Sequence, residues 1–144
     1  NNQHWRFLYA TREDDEFEEF ASLLADQNRA WTDDAAVLVT LVTKTTFDHN
    51  GEPARTHSFD AGAAWQNLAL EAASRGVVAH AMQGFDYEGA AETLDVPDDY
   101  EVECMIAIGE RAPAETLPEE LEEREFPKGR KSMDEILHHG GFDA

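Results

Sequence analysis

The turn at residues 83–86 constrains this chain more than any other stretch. It reads Gln-Gly-Phe-Asp and joins a predicted strand over 77–82 to a short helix that Asp86 is placed to cap. Upstream, a predicted helix over 61–75 carries many alanines and can pack closely on other backbone. Because glycine has no Cβ, the main chain at Gly84 can come close to a neighbouring group. The pattern predicts a turn where backbone meets a flat ligand.

Hydrophobic periodicity predicts three further strands, over 5–11, 35–42 and 101–109. Thr11 and Asp14 resemble a capping box and are predicted to open the first helix. The apolar stripe of that helix recurs at helical spacing and comprises Phe17, Phe20, Ala21 and Leu24.

Capping residues place the remaining helices. Asp60 is predicted to cap the helix over 61–75, and Gly76 has the residue type that commonly follows a helix end. Ser132 is predicted to cap a last short helix over 133–139.

Length and composition indicate one domain. The chain has 144 residues, of which 42% are hydrophobic, enough to build a core. We predict a single domain over 1–144 with an extended C-terminal segment over 110–144. The loop over 47–59 lacks periodicity and is long enough to be functional or mobile. Strands and helices alternate, but loop lengths leave open whether the sheet is parallel.

The net charge of −20 excludes some partners. Thirty-one acidic residues face 11 basic ones. Such a surface repels nucleic acid and anionic membranes, so neither is expected as a partner. An acidic excess with few lysines is typical of halophilic proteins, and we expect a halophilic origin. An ordinary acidic domain is the alternative, whereas a disordered acidic tail is disfavoured because the acids are spread along the chain.

Location follows from apolar runs and cysteine usage. No run of 18 or more apolar residues is present, so no membrane span is expected. No signal-peptide pattern is visible. The single cysteine, Cys104, excludes an internal disulfide and is consistent with a reducing compartment, so we expect a cytoplasmic protein.

The usual catalytic and metal-binding patterns are missing. The sequence contains no glycine-rich phosphate loop, no Cys-x-x-Cys and no supported serine triad. The six histidines lack metal-type spacing; the adjacent His138 and His139 are expected to face solvent, and His80 to be packed. We therefore expect neither a catalytic side chain nor a metal site.

The segment over 126–131 holds the one basic cluster of this acidic sequence. Lys128 and Arg130 are two residues apart, so on an extended segment they point to the same side and can clamp a phosphate. The alternative, which composition favours, is a solvated turn that balances neighbouring acids.

Several of these features together resemble the FMN-dependent nitroreductase family. The opening residues 1–7, Asn-Asn-Gln-His-Trp-Arg-Phe, resemble its Asn-x-Gln-Pro-Trp-x-Phe signature, with His4 in the proline position. The helix over 60–75, with Gln-Asn-Leu-Ala-Leu, is similar to the central helix of the family. The Gly-Phe-Asp turn, the strand over 105–109 and Lys-Gly-Arg at 128–130 also match in order.

The resemblance implies an α+β fold with a central mixed β-sheet flanked by helices. It further implies a homodimer with FMN at the interface and NAD(P)H as electron donor. Hydride would pass by a ping-pong route through flavin N5 to a nitroaromatic, a quinone or a similar acceptor, so the flavin, not a side chain, carries the chemistry. The cofactor-binding residues that it implies are Asn1, Gln3, Gln83, Gly84, Lys128 and Arg130.

One departure leaves a second interpretation open. Family members carry an N-terminal helix with an Arg-x-Ser-x-Arg-like motif that the sequence lacks, so we expect an N-terminal part of the domain to be missing from it. The alternative is a non-catalytic flavin-binding or interaction module of the same fold.

The charge excess predicts that salt stabilises the folded chain. Raising KCl from about 0.1 M to about 2 M should raise the melting temperature by at least about 5 °C, because salt screens the repulsion among surface carboxylates. Thermal unfolding followed by circular dichroism measures this shift. A melting temperature that is constant or falls with KCl would contradict the halophilic interpretation.

Overall fold

The computed structural model describes residues 1–142. Four strands alternate with helices along the first part of the chain, and only short helices follow. The elements are β1 (Trp5–Thr11), α1 (Phe17–Ser22), α2 (Asp26–Thr32), β2 (Val37–Lys44), α3 (His57–Ser74), β3 (Val78–Met82), α4 (Tyr87–Thr93), β4 (Tyr100–Gly109) and α5 (Glu119–Glu122), with 3₁₀ turns at Ala114–Thr116 and Met133–Glu135. None of the helices within these described residues is long and apolar enough to cross a membrane.

The described strands form one sheet in the order β1-β2-β4-β3. All three pairings are antiparallel, so the α+β class is confirmed, while the sheet that we predicted as mixed is antiparallel over these residues. Each strand therefore runs opposite to its neighbours in the sheet. Thr43 on β2 lies opposite Trp5 on one side and Glu101 on the other, which aligns the ends of three strands.

A bulge interrupts the pairing of the two central strands. Leu41 pairs with Cys104 and Val42 with Val102, which leaves Glu103 without a partner in the register. A bulge bends its strand and changes the direction of the extra side chain. The direction of the Glu103 side chain therefore need not follow the regular alternation of side chains along the strand.

Helices cover the two faces of the sheet and create two apolar clusters. On one face Phe17, Phe20 and Leu24 of the α1 region pack with Met105. On the other face Ala61 of α3 packs with sheet residues that include Leu41 and Ile106. Because both faces are covered, β2 is apolar along most of its length, as expected for a central strand.

The predicted α1 stripe is confirmed as buried, but its start is corrected. The helix begins at Phe17, whereas Thr11 is the last residue of β1. The Thr11 N–H and Oγ1 donate to Asp14 Oδ2 at 2.7 and 2.8 Å, so the predicted capping contacts close a turn before the helix. These hydrogen bonds also hold the pKa of Asp14 below its usual value.

The start of α3, in contrast, is earlier than predicted. The helix runs from His57 with Thr56 at its N-cap, so Asp60 lies within the first turn instead of capping it. The preceding loop is correspondingly shorter than 47–59. At the other end Gly76 has φ +75°, as expected for a residue that follows a helix.

The chain divides into two compact units, Asn1–Ala112 and Pro113–Ala144. In the second unit the described residues form only short helices, and most are exposed. Ser132 and Glu135 form a capping box, but the helix predicted over 133–139 is limited to a 3₁₀ turn over Met133–Glu135. One domain over 1–144, whose last two positions lie outside the described residues, stays a prediction.

Candidate functional site

An open groove in the first unit is the candidate site. Its volume is about 410 Å³, within the range of about 300–1,000 Å³ that is usual for ligand pockets. One wall is the segment that leads into β1, and the other is the first half of α3. The lining residues are Asn1, Asn2, Gln3, Trp5, Asp60, Ala63, Ala64 and Asn67.

Local contacts fix the N-terminal wall. The Arg6 guanidinium donates to the carbonyls of Gln3 and Trp5, both at 2.7 Å, and Gln3 has φ +50°. His4 is buried, its ring meets Phe47 edge to face, and its carbonyl accepts from the Lys44 N–H at 2.9 Å. His4 therefore anchors this segment by packing and by a backbone hydrogen bond.

The helical wall follows from the orientation of α3. Ala61 is 1% exposed against the sheet, and this contact turns the neighbouring face of the helix toward the groove. Ala63 and Ala64 leave space because their side chains end at Cβ, and Asn67 brings an amide one turn further along. Asp60, Ala64 and Asn67 recur at helical spacing, which is the signal by which the sequence reveals this wall.

The groove offers hydrogen-bonding amides, an indole ring and one carboxylate. Its lining includes no lysine, arginine, cysteine or histidine. Such a surface can bind and orient a flat ring with a polar edge, but its described lining supplies no thiol or hydroxyl nucleophile and no basic side chain to pair with a phosphate. Among the implied cofactor-binding residues, Asn1 and Gln3 are brought together here.

The turn after β3 has a structural partner. The Gly84 carbonyl accepts from the Ala25 N–H at 3.0 Å and from Asn28 Nδ2 at 2.9 Å. A Cβ at Gly84 would lie 2.8 Å from Asn28 Nδ2. The close approach that glycine permits is therefore made to α2, whereas the expected contact of this turn with a flat ligand stays a prediction.

The turn and the groove lie toward the same end of the sheet but belong to opposite edges. β1 and β3 run in opposite directions with β2 and β4 between them, and Met82 at the end of β3 lies level with Leu8 of β1 through Met105 and Thr40. Three strand spacings separate the two edge strands by roughly 14 Å. Gln83 and Gly84 are not among the residues that line the groove.

The basic pair belongs to the second unit. Lys128 and Arg130 are both exposed, and Arg130 Nη1 donates to the Lys128 carbonyl at 2.9 Å. The segment around them has no regular secondary structure. Their role as phosphate ligands stays a prediction.

The thiol of Cys104 is not suited to nucleophilic chemistry. Burial, with a smaller contribution from the Glu103 charge, raises its pKa to about 11. The thiol is therefore protonated near neutral pH.

Comparison with known proteins identifies relatives over most of the chain. A family model described as the nitroreductase family matches residues 10–110. A crystal structure described as an oxidoreductase containing FMN is 39% identical, with 96% of this chain and 72% of that chain covered and a TM-score of 0.92. A nitroreductase family protein from Streptococcus pneumoniae covers 95% of this chain and 79% of its own at 19% identity and a TM-score of 0.71, which shows the fold alone.

The match to a curated relative covers a shorter part of the chain. A 15.4 kDa protein of Mycolicibacterium smegmatis is 37% identical over 94 residues, which is 62% of this chain. The match spans 63% of the length of that relative.

A pair of glycine substitutions tests the packing of the turn. Gly84→Ala should lower the free energy of unfolding by about 1 kcal/mol, because the new methyl displaces the Asn28 amide from its hydrogen bond. Gly62→Ala, in the helix α3 with open space around it, should instead raise it by about 0.5–1 kcal/mol. Urea unfolding of both variants measures the free energies of unfolding. An equal change in the two variants would contradict the contact between Gly84 and Asn28.

Proposed function

The chain belongs to the nitroreductase family, and from this premise we propose that it is an FMN-dependent NAD(P)H oxidoreductase. Its acceptor is a nitroaromatic, a quinone or a similar small molecule. The proposal is supported by the 39% identity to an oxidoreductase that contains FMN.

The observation that carries the proposal is the amide-lined groove beside Asn1 and Gln3. Its volume of about 410 Å³ and the side-chain amides that line it fit an isoalloxazine ring, and Asp60 adds a carboxylate to the lining. We propose that Asn1, Gln3 and Asn67 bind the polar edge of this ring, while Trp5 and Ala63 shield it from water.

The phosphate requires cations that the groove lining does not supply. We propose that Lys128 and Arg130 bind it, since both side chains are exposed and charge-assisted bonds to phosphate are strong. We also propose that Gln83 and Gly84 offer backbone groups to the ring edge, which would stabilise negative charge there. Because they lie at the other edge of the sheet from the groove, they would do so across the homodimer interface proposed below.

The bound flavin supplies reversible hydride acceptance at N5, which is the chemistry that a ping-pong exchange between NAD(P)H and an acceptor needs. The side chains of this protein bind the flavin ring, orient it and shield it from water. No side chain in the groove is assigned to proton transfer.

We propose a homodimer with FMN at the interface. Large apolar side chains of the first unit support it, since Phe59 and Leu70 on α3 are 78% and 60% exposed. A cytoplasmic location is proposed from the reduced Cys104, and a halophilic origin from the net charge of −20.

A second candidate function is flavin binding without turnover. The observation that favours it is the composition of the groove, whose described lining includes the carboxylate of Asp60 and no lysine, arginine or histidine side chain. Such a lining binds an anionic cofactor weakly unless other groups compensate the charge.

A steady-state assay separates the two functions. The purified chain is incubated in concentrated KCl with FMN, NADH or NADPH, and a quinone. Oxidation of the dinucleotide that depends on both FMN and quinone supports the enzyme. FMN binding without oxidation supports the module, and absence of FMN binding would exclude both.

The basic pair gives a test of phosphate recognition. Replacing Lys128 and Arg130 together with alanine should weaken FMN at least about tenfold, a loss of about 1.4 kcal/mol. Riboflavin, which lacks the phosphate, should bind within about twofold of the parent chain. Fluorescence titration with the two flavins measures both affinities.

The matched control replaces Arg124 and Lys131 with alanine, which changes the net charge by the same amount. Its FMN affinity should stay near that of the parent chain. An equal loss for FMN and riboflavin in the Lys128/Arg130 variant, or an equal FMN loss in the control, would contradict the phosphate role.

A further inference from the structure

Three side chains far apart in sequence converge at the start of α3. They are His57, Glu101 and Glu103, and one ligand atom from each lies within 4.8 Å of the others. His57 Nε2 is 3.9 Å from Glu101 Oε2, and His57 Nδ1 is 3.6 Å from Glu103 Oε1. An imidazole and two carboxylates are a donor set that suits a borderline divalent ion such as Zn²⁺.

The fold produces this convergence by two devices. His57 is the first residue of α3, which packs on the sheet near β2 and β4. Glu101 lies on β4 opposite Thr43, and the bulge leaves Glu103 unpaired, so its side chain is released from strict alternation.

Neighbouring hydroxyls hold two of the three side chains. Thr43 Oγ1, on a fully buried residue, lies 3.2 Å from His57 Nδ1. Ser58 Oγ donates to Glu103 Oε1 at 2.6 Å. Hydrogen bonds of this kind orient the ligands of metal sites, and they restrict the rotamers of His57 and Glu103 here.

Burial and charge also suit a cation. The side chains of His57 and Glu103 are 16% and 23% exposed, whereas that of Glu101 is 63% exposed and leaves an entry path. The cluster brings two carboxylates together, and a divalent ion would offset their mutual repulsion. Tetrahedral zinc at ordinary bond lengths holds its ligand atoms about 3.3–3.5 Å apart. Glu101 faces Nε2 of His57 and Glu103 faces Nδ1, so the imidazole ring or the Glu103 side chain has to turn before both carboxylates and one ring nitrogen meet on one ion.

We propose that His57, Glu101 and Glu103 form a site for Zn²⁺ or a similar transition-metal ion, with water as a further ligand. The ion ties the start of α3 to β4. Asp60, which lines the groove, lies one turn further along the same helix. The site therefore stabilises the helical wall of the groove, and it does not depend on the proposed flavin chemistry.

Titration of the metal-free protein tests the site. The full chain is treated with EDTA, dialysed into concentrated KCl with excess Mg²⁺ to saturate weak carboxylate sites, and titrated with Zn²⁺ in a calorimeter. We expect one tight equivalent and a higher melting temperature. Glu101→Gln should weaken binding at least about tenfold, and His57→Ala should weaken it further.

Cobalt gives a spectroscopic check on the ligands. Co²⁺ in the site should give visible absorption bands that Zn²⁺ displaces, and these bands should be lost in His57→Ala. If His57→Ala does not fold, Glu101→Gln decides, because its side chain is mostly exposed.

The tail histidines provide the control. A variant with His138 and His139 replaced by alanine should bind Zn²⁺ like the parent chain. Binding that is lost in this control, that is unchanged in Glu101→Gln, or that is not saturable would overturn the proposal. In each case the cluster would serve only as an ion-paired anchor for α3.

Discussion

The packing of α3 on the sheet determines where everything else in the first unit can act. Ala61 is almost fully buried against Leu41 and Ile106, and a larger residue there would lift the helix from the strands. Because the helix is held this closely, its first half forms a wall of the groove and its first residue reaches β4. The candidate flavin site and the proposed metal site thus depend on one contact surface.

Much of this architecture could be predicted from the sequence, because its signals are local. The burial of the α1 stripe, the α4 cap at Asp86 and the left-handed Gly76 follow from periodicity and residue type. The family resemblance, drawn from short motifs in order, is confirmed by the family model. The helix starts were wrong where a side chain that looked like a cap, such as Thr11, bonds within a turn.

Features that depend on long-range contacts could not be predicted. The partner of Gly84 is Asn28, 56 residues away, and no local pattern connects them. The bulge at Glu103 depends on the register with β2, and it helps to bring together a histidine and two glutamates that lack any metal-type spacing in the sequence. The helical wall of the groove, which includes Asn67, could be predicted from helical spacing only once the opposite wall was known.

The central claim is that the groove between the N-terminal segment and α3 holds the flavin ring, and filling the groove tests it most directly. Ala63→Trp places a large side chain in the groove, whereas Ala73→Trp places the same side chain on an exposed site of the same helix. FMN affinity, measured by fluorescence titration, should fall at least about tenfold in Ala63→Trp and stay within about twofold in Ala73→Trp. An Ala63→Trp variant that binds FMN as tightly as the parent chain would contradict the account.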